Sequence, residues 1–398
     1  MTATPRRIML QEFTPTLLPR AGLSPEAGEA IYRTYGPQVE VEFPTPRTGD
    51  QWSLRPLGWV GQLPVDAGLT LVLQPKTAIE NLFRMLEYAY DLKSFRFLEG
   101  TVQVASLDDL YERLAHILAK RVLNRARRGL YRAYMDRSDR LPYLTGRLDL
   151  NATMRRPLSP DLACAYQEHT ADIEDNQILA WALATILRSH VCTERTLPVV
   201  RRAYRTLAGA VDLTPCPAQA CADRLYHRLN DDYRPLHALS RFFLEHTGPT
   251  HQAGDRTVVP FLVDMARLYE RFVAEWLAAH LPPELRLRRQ ERIVVDGASE
   301  LRVDIDLTLQ DVTTGETLCV MDTKYKAAGS PAADDLHQVV AYAELKGTHR
   351  AFLIYPVAVP LDTLWGTKHV RAVTFAIDGD LEAAGQAFLA ALLRALGR

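Results

Sequence analysis

Residues 300–326 read ELRVDIDLTLQDVTTGETLCVMDTKYK, and the fold of the chain turns on them. Leu301, Val303, Ile305, Leu307 and Leu309 alternate with Arg302, Asp304, Asp306 and Thr308. That period of two predicts a strand with Asp304 and Asp306 on one face. Thr313, Thr314 and Gly315 supply a turn, and a second strand returns. On it Leu318, Val320, Asp322 and Lys324 share a face, so a charged end follows an apolar stem.

Two acids and a lysine on neighbouring strands suit one chemistry. Asp304 and Asp322 can hold a hard divalent cation through oxygen ligands. Such an ion polarises a phosphoryl oxygen and lowers the pKa of a bound water. Lys324 can orient that water or stabilise developing negative charge. Either pattern alone is more simply a charged wet face of a hairpin. Together, with the helices around them, they point to a site.

Outward from the hairpin, the preceding residues 260–280 have Met265, Leu268, Phe272 and Trp276 on one helical face and Glu270 on a flank, ended by Pro282 and Pro283. After the hairpin a helix is predicted over 334–346, with Gln338 and Tyr342 four apart on one face. RAFLIYP from Arg350 reads as a short apolar strand, and a last helix runs over 381–396. The order helix, strand, strand, helix, strand, helix implies a mixed sheet flanked by helices. It also puts Glu270, the hairpin acids and Gln338 within reach of one cleft.

Towards the N-terminus, prolines at 37, 44, 46, 56, 64 and 75 break the chain into short pieces with strand-like alternation, as in Val39, Val41 and Phe43. This predicts a small β-rich, barrel-like domain with Trp52 and Trp59 in its core. The middle of the chain reads as helices over 78–92, from about Asp108, from Asp175 or Asn176, and over 198–207. The helix after Asp108 carries Arg121, Arg125, Arg128 and Arg132 on one stripe, which suits a phosphate backbone, an acidic partner or plain solvent. TGPTHQAGD at 247–255 reads as a boundary. The expected class is α+β multidomain: a β-rich N-terminal domain over 1–108, a mainly helical region over 109–254 and a mixed-sheet domain over 255–398.

Composition narrows the options. At 398 residues, 47% hydrophobic and 24% charged, the chain can build several ordinary cores. A formal net charge of -1 gives no global basic field, so any contact with nucleic acid rests on local patches. Cys164, Cys192, Cys216, Cys221 and Cys319 form no C-x-x-C pair and read as buried thiols of a reducing cytoplasm. No apolar run is long enough for a signal peptide or a membrane span. No G-x-x-x-x-G-K-[ST] loop is present, so the chain is not itself a P-loop motor.

The last domain resembles the PD-(D/E)xK nuclease superfamily. LYERFV places its first-helix acid at Glu270, DIDL and MDTKYK place the metal and lysine positions at Asp304, Asp322 and Lys324, and HQVVAY resembles the Q-x-x-x-Y helix of the RecB-like branch at Gln338 and Tyr342. LQPKTAIENLFRMLEYAYDL, TGRLDL, NQILAWAL and MDTKYK, in that order, resemble the McrC family of McrBC-type modification-dependent restriction systems over roughly residues 65–360. The family usually has proline before the first catalytic Asp; here Val303 stands there, and Asp306 competes with Asp304. Asp304 is chosen because it precedes Ile305.

The resemblance implies a PD-(D/E)xK endonuclease domain that depends on magnesium, with manganese as the alternative. Asp304, Asp322 and the main-chain carbonyl of Thr323 would bind the metal. Lys324 would act on water, with Glu270 auxiliary. Gln338 would orient the lysine or contact phosphate, supported by Tyr342, while Lys326 would contact phosphate or solvent. It further implies docking, through the N-terminal part, on a McrB-like AAA+ GTPase ring that reads modified double-stranded DNA. The rivals are an idle adaptor that only stimulates such a ring, and a RecB-like nuclease acting without it.

Overall fold

The computed structural model describes residues 6–66, 68–90, 107–156, 158–189, 191–222, 224–246, 251–253, 256–258, 260–294, 302–326 and 332–397. Leu301, residues 91–92 of the helix expected over 78–92, and most of the 247–255 boundary lie outside them. The chain forms two compact units, one of residues 1–107 and 248–398, the other of residues 108–247. The segments expected as first and third domains thus share one unit.

The first unit begins with β1 (Arg6–Gln11), β2 (Thr16–Pro19), α1 (Pro25–Tyr35), β3 (Val39–Glu42), β4 (Gln51–Pro56), β5 (Trp59–Pro64), β6 (Leu69–Gln74) and α2 (Ile79–Ala89). Two sheets result, β2-β4-β3 and β1-β6-β5 with a fourth strand added from far along the chain. Helix α1 was not expected among the prolines. Pro25 opens it instead of breaking it, because a first-turn position needs no N–H donor, and Ser24 Oγ accepts from Ala27 N at 3.1 Å. Its Ile31 and Tyr35 pack with Trp52, Leu54, Leu71 and Leu73, and Trp59 is partly buried against them.

The second unit holds α3 (Leu107–Arg128), β7 (Ala133–Leu141), β8 (Arg147–Leu148), α4 (Leu150–Met154), β9 (Leu162–Thr170), α5 (Glu174–Ser189), α6 (Leu197–Ala208) and α7 (Arg234–Glu245). Helices α3, α5 and α6 arise where expected, whereas α4 and α7 were not expected. The antiparallel sheet β7-β9-β8 was not expected, because β7 is charged and mostly exposed and shows no clean alternation. Part of the arginine stripe is engaged internally: the Arg125 guanidinium lies 5.1 Å from the Tyr233 ring, and Arg128 Nη2 is 3.5 Å from Asp232.

The chain then returns to the first unit through β10 (His251–Ala253), β11 (Arg256–Val258), β12 (Leu262–Asp264) and α8 (Met265–His280). Strand β12 replaces the first turn of the helix expected from Pro260. It pairs antiparallel with β5, Leu262 opposite Gly61, and Asp264 then caps α8 by accepting from Ala266 N and Arg267 N. The N-terminal sheet is therefore completed by the strand that launches the C-terminal half.

That half continues through β13 (Leu285–Val294), β14 (Arg302–Asp311), β15 (Thr317–Thr323), α9 (Ala333–Leu345), β16 (Arg350–Tyr355), β17 (Asp362–Trp365), β18 (Lys368–Thr374) and α10 (Leu381–Leu396). Its sheet has the order β13-β14-β15-β16-β18-β17. The first three strands are antiparallel, and β15, β16 and β18 run parallel, with α9 crossing between β15 and β16. Strands β15 and β16 bury both faces, which is why their ends read as continuous apolar runs. Strands β13, β17 and β18 were not expected; the basic LRLRRQ and the short edge segments hid them. All five cysteines are buried, and no described helix is long and apolar enough to cross a membrane.

Gly61 carries the junction between β5 and β12. Its φ is +141°, and a Cβ there would collide with the Phe261 carbonyl oxygen. Gly61→Ala is expected to lower unfolding stability by about 2–3 kcal/mol. Urea titration followed by circular dichroism measures it, and an unchanged midpoint would mean that the β5–β12 pairing matters little.

Candidate functional site

The hairpin of β14 and β15 places its polar residues by register. Leu307 pairs with Met321 and Thr308 with Val320, so the next opposed positions are Asp306 and Asp322. Asp306 lies beside Asp322, close enough to interact with its carboxyl directly. Asp322 is 1% exposed; its Oδ2 faces the Lys324 ammonium, and its Oδ1 has no partner among the described residues. Burial first, then the Asp306 charge, push the Asp322 carboxyl up to about 7, against the pull of Lys324.

Lys324 Nζ sits 2.8 Å from Asp322 Oδ2 and donates to Gln338 Oε1 at 2.7 Å. The helical spacing of Gln338 and Tyr342 is realised on α9, where Gln338 Nε2 lies 2.6 Å from the Tyr342 oxygen. Lys324 N donates to Ile354 O at 2.8 Å, so the lysine extends the ladder between β15 and β16 by one bond. Its ammonium is thus fixed from three sides: by its strand, by the acid two residues earlier and by the crossover helix.

Glu270 reaches the same place from α8. Its carboxyl is raised by burial and by the charge of Asp306, and Gln290 Nε2 donates to it at 3.4 Å. Gln290 stands between the pairs Arg289–Leu307 and Glu291–Ile305, opposite Asp306, and its backbone has φ +44°. A non-glycine residue in the left-handed region inside a strand is strained, and this strain lies beside the acid cluster.

Asp304 lies on the same strand face as Asp306 but makes a different contact. It is exposed and held by Arg292, whose Nε and Nη2 donate to its two oxygens at 2.8 and 3.0 Å. The acid that meets Asp322 in the structure is therefore Asp306, whereas Asp304, expected as the partner of Asp322, lies against Arg292. Both share the polar face of one strand: on the β13 side Asp304 lies opposite Arg292 and Asp306 opposite Gln290, and on the β15 side Asp306 comes opposite Asp322. Thr323 N lies 3.4 Å from Asp306 Oδ2. Lys326 donates to both oxygens of Asp335, at 2.8 and 2.7 Å, and so is paired within the chain.

Three contributors escaped the sequence reading. Asp335, nearly buried in the first turn of α9, faces Lys326, lies 3.9 Å from Lys324 Nζ and accepts from the Tyr355 hydroxyl at 3.5 Å. Gln290 has no sequence signal for its backbone. Glu12, wholly buried, accepts from the Tyr325 hydroxyl at 2.9 Å across 313 positions of sequence.

Among the described residues no group of three His, Cys, Asp or Glu side chains forms a ready-made metal cage. The pair Asp306 and Asp322 still suits magnesium, which takes one or two carboxylates and keeps several waters. The bare Oδ1 of Asp322, on a carboxyl whose Oδ2 already faces the Lys324 ammonium, is the structural sign of that fit, since a buried carboxylate oxygen without a partner is costly.

The raised Asp322 carboxyl sets a pH dependence in metal-free protein. The folded state keeps a proton that the unfolded chain loses, so stability falls as pH climbs from 3.8 through about 7. Asp322→Asn removes this titration. In EDTA its melting temperature should rise relative to the parent across that window and level off above it. Parallel melting curves at every pH would refute the assignment.

The family model for the McrBC 5-methylcytosine restriction system component matches residues 54–356, about three quarters of the chain. The type IV methyl-directed restriction enzyme EcoKMcrBC of Escherichia coli K12 is 21% identical over 268 residues, 63% of this chain and 74% of that protein. A chain of the refined half-complex from the tetradecameric assembly of Thermococcus gammatolerans McrB AAA+ hexamers with bound McrC is similar in fold. The TM-score is 0.51 at 17% identity, covering 98% of this chain and all of that one. A sheet hairpin carrying DIDL and MDTKYK, a Q-x-x-x-Y crossover helix and a family match across both units converge: the chain belongs to the family of McrBC 5-methylcytosine restriction system components, as a member of its McrC branch.

Proposed function

We propose that this protein is the magnesium-dependent endonuclease subunit of a McrBC-type restriction complex, built on a PD-(D/E)xK domain. The observation that carries the reading is the convergence of Asp306, Asp322, Lys324 and Gln338 at one end of the β14–β15–β16 sheet. Asp306 and Asp322 hold the ion, with the Thr323 carbonyl as a further ligand. A divalent cation bound there supplies Lewis acidity to the scissile phosphoryl group and an acidified water. Lys324 stabilises the negative charge that develops beside it, and the Gln338 carbonyl keeps its ammonium aimed. Tyr342 fixes Gln338. Glu270, its carboxyl raised, takes or returns a proton at the edge of the acid pair. Asp304, neutralised by Arg292, has a structural role.

The partner belongs to the same reading. A relative of this fold is described as bound to McrB AAA+ hexamers, and this chain has no P-loop of its own. A McrB-like GTPase ring would then read modified double-stranded DNA and deliver it, while this chain docks on the ring, stimulates it and cuts. With recognition left to the ring, a net charge of -1 is no obstacle to a nuclease.

The test is cleavage of a duplex containing 5-methylcytosine in the presence of magnesium, GTP and the cognate ring. Asp306→Asn, Asp322→Asn and Lys324→Ala should each slow cleavage by at least ~100-fold while the protein stays folded. Asp304→Asn should stay within about threefold of the parent, the size of one exposed ion pair. Normal cutting by Lys324→Ala would end the nuclease proposal. Loss of cutting in Asp304→Asn alone would restore Asp304 as the ligand. Cleavage that needs no ring would place the chain among nucleases acting alone.

A further inference from the structure

Strand β1 ends at Gln11, and the two residues after it turn sharply inward. Glu12 N donates to Gln74 O at 3.0 Å and Phe13 N to Pro56 O at 3.1 Å, while Phe13 adopts φ +57°. A phenylalanine in the left-handed region is strained, and it persists only where its surroundings hold it. The residue before it, Glu12, is wholly buried.

Glu12 Oε2 accepts from Lys76 N at 3.2 Å and from the Tyr325 hydroxyl at 2.9 Å, while Oε1 has no partner among the described residues. The Tyr325 ring lies between those of Phe13 and Tyr269, with centroids 6.0 and 5.9 Å away. Gly58 leaves room for this socket: a Cβ there would come within 3.2 Å of the Phe13 ring.

Tyr325 separates the two lysines of the MDTKYK segment. The last ladder bond of this stretch is Lys324 N to Ile354 O, so beyond it the main chain has left the sheet. What holds it there is the Tyr325 clamp and the Lys326–Asp335 pair. A buried carboxylate with a bare oxygen is a poor source of stability, and an apolar side chain would fill the space at lower cost. Its value lies in direction: a phenol held by an acid has one position.

We propose that Glu12 is a positioning residue for the active-site lysine: by gripping the Tyr325 hydroxyl it sets where Lys324 lies against Asp322 and Gln338. The competence of the site then depends on the N-terminal sheet that carries Glu12. The cleavage arm of the test rests on the nuclease reading; the labelling arm does not.

The variants are Glu12→Ala, Glu12→Gln and Tyr325→Phe in the full chain, each checked by thermal melting. In the first arm, limited acetylation with mass spectrometry reads the reactivity of Lys324 against exposed Lys120. Glu12→Ala and Tyr325→Phe should raise Lys324 labelling several-fold, and Glu12→Gln, which still accepts from the phenol, should restore protection. In the second arm, at saturating methylated duplex, Glu12→Ala and Tyr325→Phe should slow single-turnover cleavage by ~10–100-fold with little change in the DNA concentration needed. Glu12→Gln should recover most of the rate. Unchanged Lys324 labelling in folded Tyr325→Phe overturns the proposal, as does a Glu12→Gln variant no better than Glu12→Ala. A parent protein that never cuts defeats the nuclease reading, and the labelling result then decides the role of Glu12 by itself.

Discussion

Two carboxylates forced together under cover are the constraint that the C-terminal half is built around. Asp322 is almost wholly buried, Asp306 faces it, and a single ammonium offsets them. In a medium of low polarizability two like charges side by side are costly, and burial together with the Asp306 charge raises the Asp322 carboxyl. The surrounding elements follow from this. Strands β15 and β16 are apolar on both faces and exclude water from the pair. Helix α9 brings Gln338 to hold the lysine, and α8 brings Glu270 to the opposite flank. The arrangement gives up stability to hold two acids together under cover, and the proposed phosphodiester chemistry would use them to hold a hard ion.

Much of this half was legible in the chain itself. The alternation across residues 302–309, the turn at Thr313–Gly315 and the four-residue spacing of Gln338 and Tyr342 each encode local geometry, and each appears as read. The choice between Asp304 and Asp306 was not legible, because period two sets a face and not a neighbour. The choice depends on which residue of an unforeseen strand stands opposite: Arg292 meets Asp304, and Gln290 leaves Asp306 free to meet Asp322. Strand β13 was hidden by its arginines, whose charged heads stay in water while the backbone pairs. Pro25 misled in the other direction, since proline ends a helix in its interior and begins one at its first turn.

Longer-range features left no trace in any window of sequence. Glu12 and Tyr325 are 313 positions apart, and nothing near either announces the other. The strained Phe13 and Gln290 are ordinary residues by composition; only the fold shows that each sits where a side chain must be turned toward the acids or the lysines. Membership in the McrC branch accounts for the motif order, while this chain's own contacts account for which acid lies beside which.

The short strand Leu262–Asp264 closes the N-terminal sheet from about two hundred residues downstream. During synthesis, strand β5 therefore leaves the ribosome with one edge uncovered and keeps it so while the whole second unit is made. Early folding of the N-terminal half stays incomplete until the start of α8 emerges, and an exposed sheet edge in that interval is a site for wrong pairing. The order in which the edges of this sheet are covered during translation follows from where this one strand lies.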